Sequence, residues 1–197
     1  DTDAITAAVL IGMANIRHRK AEYGDALAKL RRSLAIHRRL TADIVEPPPS
    51  RQDEARLLYY IARLYVAQGH YEQALASFDA SFGLLSKELP ASHILPGSAA
   101  AGLAWMHAKL GHADRAVEPL RSALAALSSP YSTALLTSVD ELPPPDAWIS
   151  PAEVGPGLHV VLTWMLVDVA HALCLLSRAE EALDYVHKAI QYCDERA

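Results

Sequence analysis

The sequence predicts an all-α fold built from four helix–turn–helix repeats, and three observations carry this prediction. Apolar residues recur three and four positions apart, as at Leu58, Ile61 and Tyr65, which is the spacing of a helix. Four segments of the chain align with one another, and each contains two alanines that are twelve residues apart. Glycines stand between the halves of the segments, where the chain must turn tightly. We therefore expect stacked helical hairpins.

The paired alanines explain why each segment should close into a hairpin. Two antiparallel helices approach closely only where both present small side chains, and larger residues one turn away then fill the groove on either side. The four pairs that we expect at these contacts are Ala14 and Ala26, Ala62 and Ala74, Ala104 and Ala116, and Ala170 and Ala182.

The alanine register divides the chain into repeats and inserts. The predicted repeats cover residues 7–40, 55–88, 97–130 and 163–196, and the inserts cover residues 41–54, 89–96 and 131–162. Gly24, Gly69 and Gly111 are predicted to occupy the turns of the first three repeats, whereas Ser177 stands at the turn of the fourth. We treat the whole chain, residues 1–197, as a single solenoid.

The second repeat carries the residues that connect the chain to a known family. Its sequence, ARLYVAQGHYEQALASFDAS, contains an alanine, tyrosine, glycine, tyrosine, alanine, phenylalanine and serine signature that resembles the tetratricopeptide repeat (TPR). The segment KELPASHIL, between the second and third repeats, is similar to the connector of the kinesin-light-chain-like TPR class. The resemblance implies a right-handed helical solenoid whose first helices line a concave groove.

Helical phase indicates which side chains of the first helices face this groove. The predicted groove is basic towards its N-terminal end and aromatic towards its C-terminal end. It would suit a protein segment with an acidic part and an apolar anchor, because Trp and Arg are enriched at binding hot spots. Alternatively, Trp105 and Trp164 pack against residues 131–157. The groove residues are Asn15, His18, Arg19, Arg56, Tyr59, Arg63, Trp105, Lys109, Trp164 and His171.

One known use of the family does not fit this sequence. The carboxylate clamp that binds chaperone tails requires Lys, Asn and Arg at set positions of the first helices. Asn15 matches one position, but Ile11, Tyr60 and Gly102 occupy the others. We therefore do not expect a chaperone peptide as the partner.

Both ends of the predicted solenoid lack a polar outer helix, which terminal repeats need. We expect the outer face of the last helix to pack against a partner subunit, a second copy or further sequence, because this helix carries the apolar residues Leu183, Tyr185, Val186, Ala189, Ile190 and Tyr192. The insert around Trp148 is interpreted either as a surface loop or as a segment that docks on the repeats.

Charge and composition exclude several classes of function. The net charge is −5, with +3 on residues 1–65 and −8 on the remainder, so the strongly basic stripe of a nucleic-acid domain is missing. Residues 158–176 are apolar enough to suggest a membrane span, but Asp168 stands at their centre and favours a buried helix. The two cysteines are too few for a disulfide scaffold and favour a reducing, intracellular compartment; cytoplasm and organelle both stay open.

Candidate chemistry is sparse. Asp168, His171 and Cys174 are three residues apart on one predicted helix, but a closed zinc site needs a fourth ligand, and no second pair has suitable spacing. No phosphate loop, nucleophile elbow or zinc-protease motif occurs. We therefore expect no enzyme activity, no metal and no cofactor.

These observations predict a protein–protein interaction scaffold that acts as a structural subunit or assembly factor of a larger complex. One alternative is an RNA-binding or ribosome-associated repeat protein, which is suggested by the basic cluster of Arg17 to Lys20 with Arg31, Arg32, Arg38 and Arg39. A second alternative is a regulatory TPR module of a larger protein.

Overall fold

The computed structural model describes residues 2–42, 51–129 and 158–194, and these residues form helices and short turns without β-strands. The helices are α1 (Thr2–Arg19), α2 (Tyr23–Ala42), α3 (Arg51–Ala67), α4 (Tyr71–Glu88), α5 (Ile94–Lys109), α6 (Ala113–Leu127), α7 (Leu158–Leu175) and α8 (Ala179–Asp194). Consecutive helices pack in pairs, α1 on α2, α3 on α4, α5 on α6 and α7 on α8. The predicted all-α architecture of helical hairpins is confirmed.

The hairpins fall into two compact units. Unit 1 comprises Asp1–Glu88, in which α2 also contacts α3, and unit 2 comprises Leu89–Ala197, in which α7 packs chiefly on α5. The continuity of a single solenoid over residues 1–197 stays a prediction.

The paired alanines lie in the interior of the protein. None of the eight is more than 4% exposed, and five of them are completely inaccessible to solvent. An alanine that is closed off in this way leaves no room for a larger side chain, which is the physical requirement for two helix backbones to approach closely. We propose that these residues set the distance between the helices of each hairpin.

Two serine hydroxyls reinforce the hairpins of unit 1 at the same place. Ser33 Oγ in α2 donates a hydrogen bond to the backbone carbonyl of Ala7 over 3.1 Å, and Ser81 Oγ in α4 donates one to the carbonyl of Ala55 over 2.7 Å. Both serines follow the second-helix alanine by seven residues, and both carbonyls precede the first-helix alanine by seven. The two hairpins therefore share one internal register.

In the first hairpin of unit 2 the corresponding first-helix position is Gly97. A Cβ atom on Gly97 would lie 2.4 Å from Ala126 Cβ and 2.7 Å from Met165 Cε, which are distances that real side chains do not adopt. The backbone of α5 thus approaches its neighbours more closely than any side chain would permit.

The turn between the helices of each hairpin contains one residue with positive φ. It always stands seven residues after the first-helix alanine, at Ala21 (φ 59°), Gly69 (φ 76°), Gly111 (φ 79°) and Ser177 (φ 61°). The prediction for the first repeat was therefore wrong, because Gly24 lies within α2 and Ala21 makes the turn. Gly24 was predicted at the turn because it is a glycine, but its backbone is already helical.

The first helices begin earlier than the repeat boundaries that the alanines predicted. Helix α3 begins at residue 51 rather than 55, α5 at 94 rather than 97, and α7 at 158 rather than 163. The alanine register locates the contact between two helices, whereas a helix begins where its first turn is capped. At α5 the cap is His93, whose Nδ1 accepts a hydrogen bond from the Leu95 amide over 3.2 Å.

The predicted docking of the segment around Trp148 lies outside the described residues. In residues 2–42, 51–129 and 158–194, no helix has the length and hydropathy needed to cross a membrane. Asp168, at the centre of the most apolar helix, is completely buried, as the interpretation of α7 as a buried helix requires.

Candidate partner-binding surfaces

Four of the predicted groove residues occupy one position of the repeat. Asn15, Arg63, Trp105 and His171 each directly follow the first-helix alanine. All four side chains are half-buried or exposed, so this position faces outwards in both units although the preceding alanine is buried. The structure brings these residues together only within a unit, and each unit has its own surface.

The surface of unit 2 is formed around an aromatic stack. The indole of Trp105 in α5 and the imidazole of His171 in α7 have centroids 4.5 Å apart and planes inclined by 14°. Trp105 is half-buried and His171 is exposed, so the stack retains an accessible edge. Flat, rigid aromatic groups of this kind provide a large contact area with little loss of conformational entropy.

The other predicted residues of unit 2 border the helices that carry the stack. Trp164 is a half-buried residue near the start of α7, and Lys109 is an exposed residue at the end of α5. Leu175, at the end of α7, is also exposed. The first helices of unit 2 thus present two tryptophans, a cation and an apolar side chain.

In unit 1 the corresponding surface is cationic. His18 in α1 and Arg63 in α3 lie close enough that burial of the imidazole and, secondarily, the positive charge of Arg63 hold the pKa of His18 below its ordinary value. The His18 ring also contacts the Tyr23 ring, with centroids 5.7 Å apart. Asn15 is half-buried and Arg19 is exposed on the same helix.

Arg56 lies about two turns before Arg63 on α3, and its charge is partly balanced. Its guanidinium forms an ion pair with Asp53 over 3.3 Å. Burial raises the pKa of the neighbouring Tyr60 phenol to about 12, although the charge of Arg56 opposes this rise. Tyr60 therefore stays neutral at physiological pH and offers a hydroxyl beside the cations.

Tyr59 is a correction to the predicted groove. It is buried, and its ring meets the Phe78 ring of α4 edge to face, with centroids 5.6 Å apart. Tyr59 precedes the first-helix alanine Ala62 by three residues, so the two side chains lie on the same face of α3. That face packs against α4, and Tyr59 belongs to the core of the hairpin.

The basic cluster that suggested RNA binding is largely occupied by internal contacts. Arg17 forms ion pairs with Glu22 and Asp25, Arg38 with Glu54, and Arg39 with Asp3. Arg31 donates a hydrogen bond to the Tyr65 hydroxyl and stacks over its ring. Cations that already have acidic partners attract phosphates less strongly. The ion pairs of this cluster instead connect helices of unit 1 to one another.

The suggested metal stripe on α7 divides between two environments. Asp168 is completely buried, whereas His171 and Cys174 are exposed. Within the part of the chain that the structure describes, no group of three or more metal-ligating side chains is placed to hold a metal ion.

Two apolar helix faces are open to solvent at the two ends of the repeat series. On α1 the stripe consists of Ile5, Val9, Met13 and Ile16, and on α8 it consists of Leu183, Val186 and Ile190. An apolar cleft of about 440 Å³ lies between α7 and α8, and Val186 and Ile190 form part of its wall.

Comparisons with known proteins agree with this architecture. Residues 53–129 match the family model described as tetratricopeptide repeat. A crystal structure of kinesin light chain TPR-like repeats from Podosopora anserina is 18% identical, with a TM-score of 0.55 over 97% of this chain and 77% of that chain. A variant of those repeats is 14% identical, with a TM-score of 0.53 over 100% of this chain and 99% of that chain. No curated protein sequence matches. The predicted similarity to kinesin-light-chain-like repeats is confirmed at the level of the fold.

Proposed function

We propose that the chain is a non-enzymatic tetratricopeptide-repeat scaffold that binds other proteins as a structural subunit or assembly factor of a larger complex. The repeat fold typically mediates protein–protein interaction, and stacked repeats present long surfaces to partners. The proposal concerns which surface binds and what chemistry it selects.

The observation that carries the proposal is the stack of Trp105 on His171. It joins the first helices of two consecutive hairpins, and part of it is accessible to solvent. A large aromatic group that is anchored on one side and exposed on the other is typical of binding hot spots, where a partner's apolar side chain completes its burial. Trp164, on the same helix as His171, extends the aromatic character of this surface.

The chemistry of the two units indicates the kind of partner. Unit 1 presents the cations Arg19 and Arg63, which favour acidic side chains, and unit 2 presents aromatic groups, which favour an apolar anchor. A protein segment with both features fits the surfaces better than an RNA, because the neighbouring arginines are engaged in ion pairs.

Affinity purification of the tagged chain tests the aromatic part of the proposal. We expect the double variant Trp105→Ala and Trp164→Ala to lose the partners that the wild-type chain captures, because hot-spot truncation costs about 2 kcal/mol or more. Val117→Ala on α6, where an exposed apolar side chain is also shortened, serves as the control and should retain them. Unchanged capture by the double variant, with an unchanged helical circular dichroism signal, would place the binding surface elsewhere.

A charge reversal tests the cationic part. Arg63→Glu on the first helix of the second hairpin should weaken capture, and the remaining capture should become less sensitive to salt. Lys87→Glu makes the same charge change on α4, outside the predicted groove, and should behave as wild type. Equal losses in the two variants would indicate a general charge effect rather than a site.

A further inference from the structure

The exposed stripe on α1 occupies positions that are buried in other repeats. Val9, Met13 and Ile16 stand five before, one before and two after the first-helix alanine Ala14, and they are 40–57% exposed. The same positions hold Leu57, Ile61 and Leu64 in α3, and Met165, Val169 and Ala172 in α7. None of those six side chains is more than 4% exposed.

A neighbouring hairpin packs against each first helix in which these positions are buried. In unit 1, α3 packs against α2, and in unit 2, α7 packs against α5, so each of these first helices has an earlier hairpin against one of its faces. The face of α1 has the same apolar character, and within the described residues no hairpin precedes it. This apolar face of α1 therefore resembles the faces of first helices against which another hairpin packs.

The exposed stripe on α8 shows the complementary relationship. Leu183, Val186 and Ile190 stand one, four and eight residues after the second-helix alanine Ala182, and they are 37–56% exposed. In α2 the same positions are Leu27, Leu30 and Leu34, which are at most 8% exposed in a hairpin that α3 follows. The face of α8, with the cleft beside it, thus has the character of a surface that receives the first helix of a following repeat.

From these two relationships we infer that the chain associates head to tail, with the α1 face of one copy seated on the α7–α8 face of a second copy. This contact between two molecules resembles the packing of one hairpin on the next within a unit. Charge favours the same pairing, because α1 exposes Arg19, whereas α8 exposes Glu180 and Asp184. A contact between two different faces leaves each copy with one free face, so association continues until a ring closes or into open chains.

Analytical ultracentrifugation of the 197-residue chain tests this inference. The wild-type chain should change from monomer to species larger than a dimer between about 1 µM and about 1 mM, the range of weak to moderate protein affinities. Two variants each block one face with exposed carboxylates: Val9→Glu with Met13→Glu, and Val186→Glu with Ile190→Glu. Each variant alone should stay monomeric, because every contact would then include a blocked face.

Mixing the two variants separates head-to-tail contact from every other arrangement. The first variant retains a free α8 face and the second a free α1 face, so an equimolar mixture should form a dimer and stop there. The matched control Val117→Glu, on neither terminal face, should associate as wild type does. Hydrogen exchange of the wild-type chain should also show protection of α1 and α8 that rises together with concentration.

Three results would overturn the inference. The wild-type chain stays monomeric at every concentration, which leaves the two faces to a different protein. One of the two variants associates by itself as the wild type does, which indicates contact between two like faces. Protection rises on only one of the two helices, which excludes a contact between them.

Discussion

The Trp105 ring lies parallel to the His171 ring at a centroid distance of 4.5 Å, although the two residues are 66 positions apart in the sequence. Each directly follows the buried alanine of its first helix, Ala104 and Ala170 respectively. The stack therefore marks the place where the outward faces of α5 and α7 meet in unit 2.

We expect this stack to contribute to stability as well as to binding. In a double-mutant cycle with Trp105→Ala and His171→Ala, the coupling energy should be about 0.5–1.5 kcal/mol, the usual value for aromatic pairs. Urea denaturation of the wild type, both single variants and the double variant gives this number. A coupling energy near zero would show that the rings lie together without stabilising each other.

Gly97→Ala should destabilise unit 2 even though alanine is the better helix former. The new methyl group would meet Ala126 Cβ at 2.4 Å, and overpacking of this kind costs about 1–3 kcal/mol. Gly83→Ala in α4 is the matched control, because no atom lies within 4 Å of its Cβ position; that variant should gain up to about 1 kcal/mol. Denaturant midpoints of the two variants should shift in opposite directions, and a shift in the same direction would contradict the close approach.

The positive-φ residues of the turns can be substituted in both directions, by introducing a glycine or by removing one. Ala21 and Ser177 have φ values of 59° and 61°, and a residue with a side chain in this conformation costs about 1–2 kcal/mol. Ala21→Gly and Ser177→Gly should therefore raise the thermal midpoint, whereas Gly69→Ala, at φ 76°, should lower it. A lower midpoint for both glycine variants would show that the side chains at these turns make contacts worth more than the strain.

The cap of α5 should make the stability of unit 2 depend on pH. Burial lowers the pKa of His93, and the neutral Nδ1 accepts the Leu95 amide hydrogen, so the folded state binds a proton less readily than the unfolded chain does. The contribution of this cap to the stability of unit 2 is therefore fully present above the pKa of histidine in the unfolded chain, about 6.5. It decreases as the pH falls from that value towards the lower pKa of His93 in the folded state.

His93→Asn separates the cap from its titration. Asparagine is a good N-cap that does not titrate in this range, so this variant should keep most of the stability at pH 7 and lose less of it at pH 5.5 than the wild type. His93→Ala should lose about 1 kcal/mol at neutral pH. Urea midpoints measured from pH 7.5 to 5 test this, and parallel profiles for the wild type and His93→Asn would assign the pH dependence to another group.

The hairpin architecture could be predicted because its main determinant is local and repeated. Ala62 and Ala74, with their counterparts in the other three segments, recur at constant spacing, and small side chains at constant spacing have one simple steric explanation. The exposed apolar face of α8 was also predicted from the sequence, because the alanine register identifies α8 as the last helix of the fourth repeat. Inserts between the hairpins do not disturb this pattern, because the pattern depends on contacts within one hairpin.

The features that could not be predicted depend on details that sequence spacing does not contain. Gly24 looked like the turn residue, but the backbone places Ala21 there, because the alanine register fixes the turn whichever residue occupies it. Tyr59 looked like a groove residue, but the face of α3 that packs on α4 is wide enough to bury it beside Phe78. The paired serines were detectable in principle, since Ser33 and Ser81 share a register position.

Those serines also distinguish the two units mechanically. A hydroxyl that donates to a carbonyl of the facing helix opposes axial slippage, since movement by one turn, about 5.4 Å, would break the bond. The equivalent residues of α6 and α8 are Ala123 and Ala189, whose methyl groups offer no such directional restraint. We therefore expect unit 1 to keep its shape when loaded, and the hairpins of unit 2, which bear the tryptophans, to be the ones that adjust to an incoming ligand.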